Sequence, residues 1–294
     1  MKKRLIIDTD PNIHVRGKDI DDALAILFCL ASPEVEVEGI TINFGNVKAP
    51  VGYRAAKDIL AAVGADIPVI QGSASAAELG KKNEAVDFLL RTVGDNPGRV
   101  SLLALAPLTN VATACMLDGR FAAGLKEIVV MGGTLDFWIF KYLGEFNFHQ
   151  DARAAAAVMS QAAAKTLITM DVCCQAVFTR EHLDRIKSAA TGISGFCAGF
   201  VEPWLKLNSR IFFRKKGFFP WDVVAASYLV DDALFKGNPC TFKIVEEGLR
   251  RGRLIEVERA ESLHSTNGKR SVNMPLQLDG ERFMDFFLER LLQL

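Results

Sequence analysis

The chain has 294 residues, half of them hydrophobic, with 35 Lys plus Arg against 35 Asp plus Glu. That length suits one large α/β domain or two small ones, and at zero formal net charge nothing favours nucleic acid or an acidic membrane surface as partner. The apolar run after Met1-Lys2-Lys3-Arg4 stops at Asp8, which argues against a signal peptide, and no apolar run approaches the ~20 residues of a membrane span.

Residues 4–9 read as a strand without alternation, buried on both faces. Ala23, Ile26, Leu27 and Leu30 recur at helical spacing and predict a helix over 20–31, stopped by Pro33. Val35 to Ile42 is a second strand, Asn43-Phe44-Gly45-Asn46 its loop, and 50–63 a helix ending at Gly64. A short strand at 67–70, a helix over 83–93 and a strand over 100–105 follow. Pro107 then opens a helix over 107–117, at a first turn where proline is tolerated. Glu127 to Met131 is a strand closed by Gly132-Gly133, 152–159 a helix, and 166–170 a strand.

Strand followed by helix, repeated with short connections, predicts an α/β fold: a mostly parallel, doubly wound, Rossmann-like sheet with helices on both faces. After residue 178 the pattern turns helical, over 180–190, 194–207 and 223–230, which reads as a helical lid region. The aromatic and basic run from Ile211 to Asp222 is read as packing within that lid rather than as a nucleic-acid surface. Short strands near 241–246, 253–258 and 270–275 precede an amphipathic helix over 280–292. No internal repeat or linker divides the chain, so residues 1–294 are expected to form a single domain. Six cysteines (29, 115, 173, 174, 197, 240) without a CxxC spacing read as reduced thiols of a cytoplasmic protein, with the adjacent Cys173-Cys174 pair set apart.

The chemistry concentrates at the first strand. Asp8 and Asp10 end it, and Asp19, Asp21 and Asp22 open the next helix. So many carboxylates together repel one another unless a cation or a hydrogen-bond network compensates them. Oxygen-only donors at a strand end suit a hard cation, Ca²⁺ or Mg²⁺. An N-cap at Asp19 with dipole-favoured acids behind it explains part of the set, but not Asp8 and Asp10. Asn43, Asn46, the Leu105 to Pro107 turn, Gly132-Gly133 and Asp171 fall at other strand ends, where open α/β sheets bind ligands.

Asp8-Thr9-Asp10-Pro11 with Asp21-Asp22-Ala23-Leu24-Ala25 resembles the N-terminal signature of the inosine-uridine-preferring nucleoside hydrolase family, DxDPGxDDAxA. The likeness continues in order through Gly39-Ile40-Thr41 with Gly45-Asn46-Val47, Pro107-Leu108-Thr109-Asn110, Ile128 to Gly133, Glu145-Phe146-Asn147, Asp171-Val172 and Asp222. The resemblance implies Ca²⁺-dependent hydrolysis of the N-glycosidic bond of a ribonucleoside or related N-riboside. It implies carboxylate ligands at Asp10, Asp22 and Asp222, with the Leu105 carbonyl as a further ligand. Asp10 would also be the general base toward a water held by the metal, with Asp8 in support. Asp21, Asn46, Glu145 and Asn147 would hold the sugar. The resemblance further implies a homodimer or homotetramer. Blander roles exist for single residues: Asn43 and Asn46 as turn formers, Glu145 as a surface residue, Asn147 as a cap, Asp222 as a helix start.

The departures from the pattern fall mostly on the leaving-group side. Asn12 replaces the family glycine, and about seven residues, including His14, Arg16 and Lys18, are inserted before the Asp pair; a solvated loop is the expectation for them. Trp221 stands where the family places a histidine before the late aspartate. Indole is no general acid at neutral pH, but it can stack on a base. Ile139 stands where the family has a ribose-contacting asparagine, the segment usual after the third strand is missing from 72–86, and Cys173-Cys174 replace Thr-His after Asp171-Val172. The competing reading is a ribose- or nucleoside-binding protein of the same fold that has lost catalysis. A strand-DxD start is shared with haloacid-dehalogenase-type Mg²⁺ phosphatases, but Asn12 stands where those want Thr or Val.

Overall fold

The computed structural model describes residues 2–135, 144–211, 217–248, 250–256 and 272–294. Its frame is an eight-stranded sheet built from β1 (Lys3–Thr9), β2 (Val35–Ile42), β3 (Val69–Gln71), β4 (Val100–Ala104), β5 (Glu127–Met131), β6 (Lys165–Ile168), β9 (Phe235–Cys240) and β12 (Val272–Leu278), in the order β3-β2-β1-β4-β5-β6-β12-β9. The pairs from β3 to β6 are all parallel, β12 joins β6 in parallel, and β9 closes the edge antiparallel to β12. Two small antiparallel pairs lie outside it, β7 (Phe178–Thr179) with β8 (Gly217–Phe218) and β10 (Phe242–Ile244) with β11 (Leu254–Glu256).

The missing alternation in β1 has a direct cause. Leu5 and Ile7 enter one hydrophobic core and Ile6 the other, so successive side chains face opposite but equally apolar layers. The first layer holds α1 (Asp21–Ala31), α2 (Ala49–Val63), α9 (Arg180–Ala189), α10 (Gly192–Ile211), α11 (Trp221–Val230) and α12 (Gly280–Leu291). The second holds α3 (Glu84–Asp95), α4 (Thr109–Leu117), α5 (Phe121–Gly124) and α7 (Ala152–Met159). Phe28 of α1 sits between the rings of Phe286 and Phe287, at 5.6 and 6.1 Å, which locks α1 to the closing helix.

The expected alternation of strand and helix is what the chain adopts, with local corrections. Pro107 does not open a helix: α4 begins at Thr109, and Leu105 to Leu108 form the turn before it. Strand β9, which carries Gly237 and Pro239, was not among the expected elements. It is an edge strand, where a missing N–H costs no ladder bond on the open side. Pro275 is tolerated within β12 because β12 meets β6 only at Asn273, and the β9 register shifts next to Pro275. The loop position 139, the middle of the aromatic and basic run and the stretch 257–271 lie outside the described residues. No helix among the described residues is long and apolar enough to cross a membrane.

Candidate active site and metal centre

In a parallel sheet all carboxyl ends share one edge, and β1 lies where the strand order reverses, between β2 and β4. A cavity of about 500 Å³ opens there. Its floor holds Asp10, Asp21, Asp22 and Asp222, and its wall includes Trp221 and Phe219.

Two helix N-termini meet on this floor. Asp21 and Asp22 occupy the first turn of α1, and Asp222 the first turn of α11. Asp21 Oδ2 accepts the Asp222 N–H at 3.0 Å, so one helix start is capped by the other's carboxylate. Oxygens of Asp21, Asp22 and Asp222 lie within 4.8 Å of one another, and the three side chains are buried. Asp10 is outside that tight group but beside it: its N–H donates to Asp22 Oδ1 at 3.2 Å, and its Oδ2 accepts the Asn46 N–H at 2.5 Å. The Thr9 hydroxyl donates to the same Asp22 Oδ1 at 2.5 Å. Asp8, behind them, accepts from Thr41 at 2.7 Å and Asn110 at 2.9 Å through Oδ1, while its buried Oδ2 has no hydrogen-bond partner among the described residues.

Among the described residues no Lys or Arg forms an ion pair with Asp8, Asp10, Asp21, Asp22 or Asp222. The electrostatic consequence is large. Burial pushes Asp10, Asp21 and Asp222 well above the usual carboxylate range, and neighbouring carboxylates push them further. Burial also raises Asp22, against the hydrogen bonds from Thr9 and Asp10 that lower it. Asp8 is raised by burial to about 6, against the hydrogen bonds that lower it. A concentration of buried carboxylates with no Lys or Arg ion pair among the described residues fits a hard divalent cation, which would compensate their charge. The donor chemistry does not by itself separate Ca²⁺ from Mg²⁺.

The remaining polar positions lie around this floor. Leu105 follows β4, and its carbonyl accepts from Asn147 Nδ2 at 2.8 Å, which leaves the oxygen a second lone pair. Asn147 Oδ1 has no hydrogen-bond partner among the described residues, and Asn147 lines the cavity. Glu145 is not a surface residue but the buried N-cap of α6 (Phe146–Gln150), and Asn147 is not the cap. Its carboxylate accepts N–H groups of Asn147 at 2.8 Å, Gly133 at 2.9 Å and Phe148 at 3.0 Å, while burial raises its pKa. Asn46 grips Asp19 from both sides: Oδ1 accepts the Asp19 N–H at 3.0 Å, and Nδ2 donates to the Asp19 carbonyl at 2.8 Å. One N–H and one lone pair of that amide stay available to a ligand.

Asp19 is more than a cap inside an insertion. Helix α1 begins at Asp21 with Ile20 at its N-cap, so Asp19 stands outside the helix and lines the cavity. Desolvation raises its pKa to about 6, with the Asp22 charge adding to the rise and a hydrogen bond with Asp21 opposing it. The rest of the insertion behaves as a solvated loop. Asn12 knits it together by donating to the Val15 carbonyl at 3.0 Å and accepting the Val15 N–H at 2.8 Å. His14 turns to Asp58 of α2, 3.0 Å away, while Lys18 reaches the cavity rim.

The wall away from the carboxylates is aromatic. Trp221 and Phe219 lie 4.8 Å apart at 45°, with Phe218 and Trp204 of α10 also on the wall. The Cys173 thiol donates to the Trp221 carbonyl at 3.5 Å, and burial pushes that thiol far above its usual range. No disulfide joins any of the six cysteines, so Cys173 and Cys174 are not bridged. Three wall residues have no counterpart in the sequence reading: Trp204, Asn208 and His149. For His149 a signal existed, since it lies three residues after Phe146 and so on the same helical face.

The sequence profile of the family described as inosine-uridine preferring nucleoside hydrolase matches residues 5–285. A probable uridine nucleosidase 2 of Arabidopsis thaliana is 26% identical, covering 99% of this chain and 98% of its own length. Among solved structures, the plant nucleoside hydrolase PpNRh1 superposes with a TM-score of 0.88 at 25% identity, over 99% of both chains. The purine-preferring ribonucleoside hydrolase from Gardnerella vaginalis superposes with a TM-score of 0.86 at 25% identity, over 99% of this chain and 98% of that one.

Proposed function

The chain belongs to the inosine-uridine preferring nucleoside hydrolase family, and from that premise we propose that this N-glycosyl hydrolase cleaves a ribonucleoside or related N-riboside with the help of Ca²⁺. The observation that carries the reading is the group of buried carboxylates of Asp21, Asp22 and Asp222, without a Lys or Arg ion-pair partner among the described residues, beneath an aromatic wall. One end of the cavity suits a metal and a polyhydroxylated sugar, and the other a flat leaving group.

Asp10, Asp22, Asp222 and the Leu105 carbonyl would hold the ion, with Asp21 close enough to share it. Bound there, Ca²⁺ supplies Lewis acidity toward a water and toward sugar hydroxyls. Asp10 takes the proton of the water that attacks the anomeric carbon. Asn46 positions Asp10 through its N–H, and Asp8 supports the floor from behind. The oxocarbenium-like transition state is cationic, so the surrounding carboxylates stabilise it more than the neutral substrate. Asp21, Asn46, Glu145 and Asn147 hold the ribose, with Asn147 Oδ1 ready to accept from a hydroxyl. Trp221 stacks on the leaving group. A homodimer or homotetramer is the proposed assembly, and the unbridged, mostly buried cysteines support a reducing, cytoplasmic setting.

The direct test is release of reducing sugar from a panel of purine and pyrimidine ribonucleosides, with and without chelator. Release that chelator abolishes and added Ca²⁺ restores is the expected result. Binding of nucleoside without release from any member of the panel would instead establish a catalytically impaired binding protein.

A further inference from the structure

A purine or pyrimidine leaves poorly as an anion, so N-glycosidic hydrolysis at neutral pH gains from a proton donor beside the departing nitrogen. Trp221 cannot supply it. Of the described histidines, His14 is engaged by Asp58, and His182 closes the capping box at the start of α9. Cys173 holds its proton too tightly, because burial and nearby carboxylates raise its pKa.

His149 is different. It lies on α6 three residues after Phe146, and both line the cavity. Phe146 is 46% exposed, which marks this helical face as the open side of the site. The Asn147 side chain between them turns inward to the Leu105 carbonyl. His149 Nδ1 lies 3.1 Å from the Arg251 carbonyl. A carbonyl only accepts, so Nδ1 carries the hydrogen. That contact fixes the ring from behind, as a carbonyl or carboxylate orients a catalytic imidazole elsewhere. Nε2, on the far side of the ring, has no hydrogen-bond partner among the described residues.

Resting on the hydrolase reading above, we propose that His149 is a further catalytic residue, the acid that protonates the leaving base through Nε2. The C1′–N bond breaks and its electron pair passes to the base nitrogen. That nitrogen takes the Nε2 proton, while water forms the new C1′–O bond and gives its proton to Asp10. The proton on Asp10 returns to the imidazole through solvent, so nucleoside and water become ribose and free base with no other reactant.

The test compares an ordinary nucleoside with p-nitrophenyl β-ribofuranoside, whose phenolate departs without a proton. His149→Gln and His149→Phe should lower kcat on the nucleoside by about 10²-fold or more, the range of general acid catalysis. Both should leave turnover of the p-nitrophenyl riboside near the parent value, which also shows that the variants are folded. Equal losses on both substrates would make His149 a structural residue and overturn the proposal, as would unchanged nucleoside turnover. Lys18, a further basic side chain among the described residues lining the cavity, is the control: a selective nucleoside loss in Lys18→Met but not in His149→Gln also overturns it. If the parent protein hydrolyses neither substrate, the hydrolase reading itself fails.

Discussion

Gly45 offers a sharp test of how the site is positioned. Its φ of +152° is one that side-chain-bearing residues rarely adopt. A Cβ there would stand 2.0 Å from Asp10 Oδ2 and 2.8 Å from Pro107 Cδ. Ordinary contact begins near 3.4 Å, so Gly45→Ala must move the carboxylate by about 1.4 Å or shift the turn by a similar amount. Either movement breaks the hydrogen bond from the Asn46 N–H to Asp10. The lost bond and backbone strain should together cost about 1–3 kcal/mol of stability. A misplacement near 1 Å costs about 10²-fold in rate, so kcat/KM should fall at least that far. The assay is nucleoside turnover beside thermal melts with and without Ca²⁺. The expected variant folds, melts lower and is nearly inactive. A folded Gly45→Ala protein with parental kcat/KM would refute the placement of Asp10 as base.

Other consequences concern charge, stacking and the core. Asp8 has its folded pKa raised from 3.8 to about 6, so it binds a proton more tightly folded than unfolded. Its contribution therefore weakens the fold as pH rises from about 4 to above 6, by about 3 kcal/mol in total. In chelator, urea denaturation across that window should show a shallower fall for Asp8→Asn than for the parent; parallel pH profiles would contradict the account. Trp221→Ala should raise KM for aromatic leaving groups by about tenfold, the value of one stacking contact, and leave inhibition by free ribose unchanged. If ribose inhibition weakens equally, Trp221 does not act on the leaving group. Phe28→Ala empties a fully buried position between α1 and α12 and should cost about 3–5 kcal/mol in denaturant melts. Because α1 carries Asp21 and Asp22, Ca²⁺ affinity should drop with it; calorimetry showing affinity unchanged would uncouple the metal centre from that core.

Much of this protein is legible along the chain because the signals are local. The apolar run into Asp8, the helical spacing of Ala23 to Leu30 and the glycine at 64 each report short-range backbone chemistry, and each lies in its expected element. Repeated strand and helix implies parallel strands, and parallel strands bring their polar carboxyl ends to one edge. Hence several residues that line the cavity could be named before their geometry was known. Local signals also misled. Asp19 passed for a cap, and the edge strand β9 went unexpected.

What only tertiary structure decides is which groups meet. Asp21 and Asp222 are 201 residues apart, and only the packing of α11 on α1 joins their N-termini. No spacing shows that Glu145 is buried under three backbone N–H groups, or that Asn46 braces Asp19. The orientation of His149 depends on the Arg251 carbonyl, 102 residues away. Residue types and order mark where charge and hydrogen bonds gather, because those preferences are local. Pairing, burial and the resulting pKa shifts depend on long-range packing, which desolvates the carboxylates and sets them against one another.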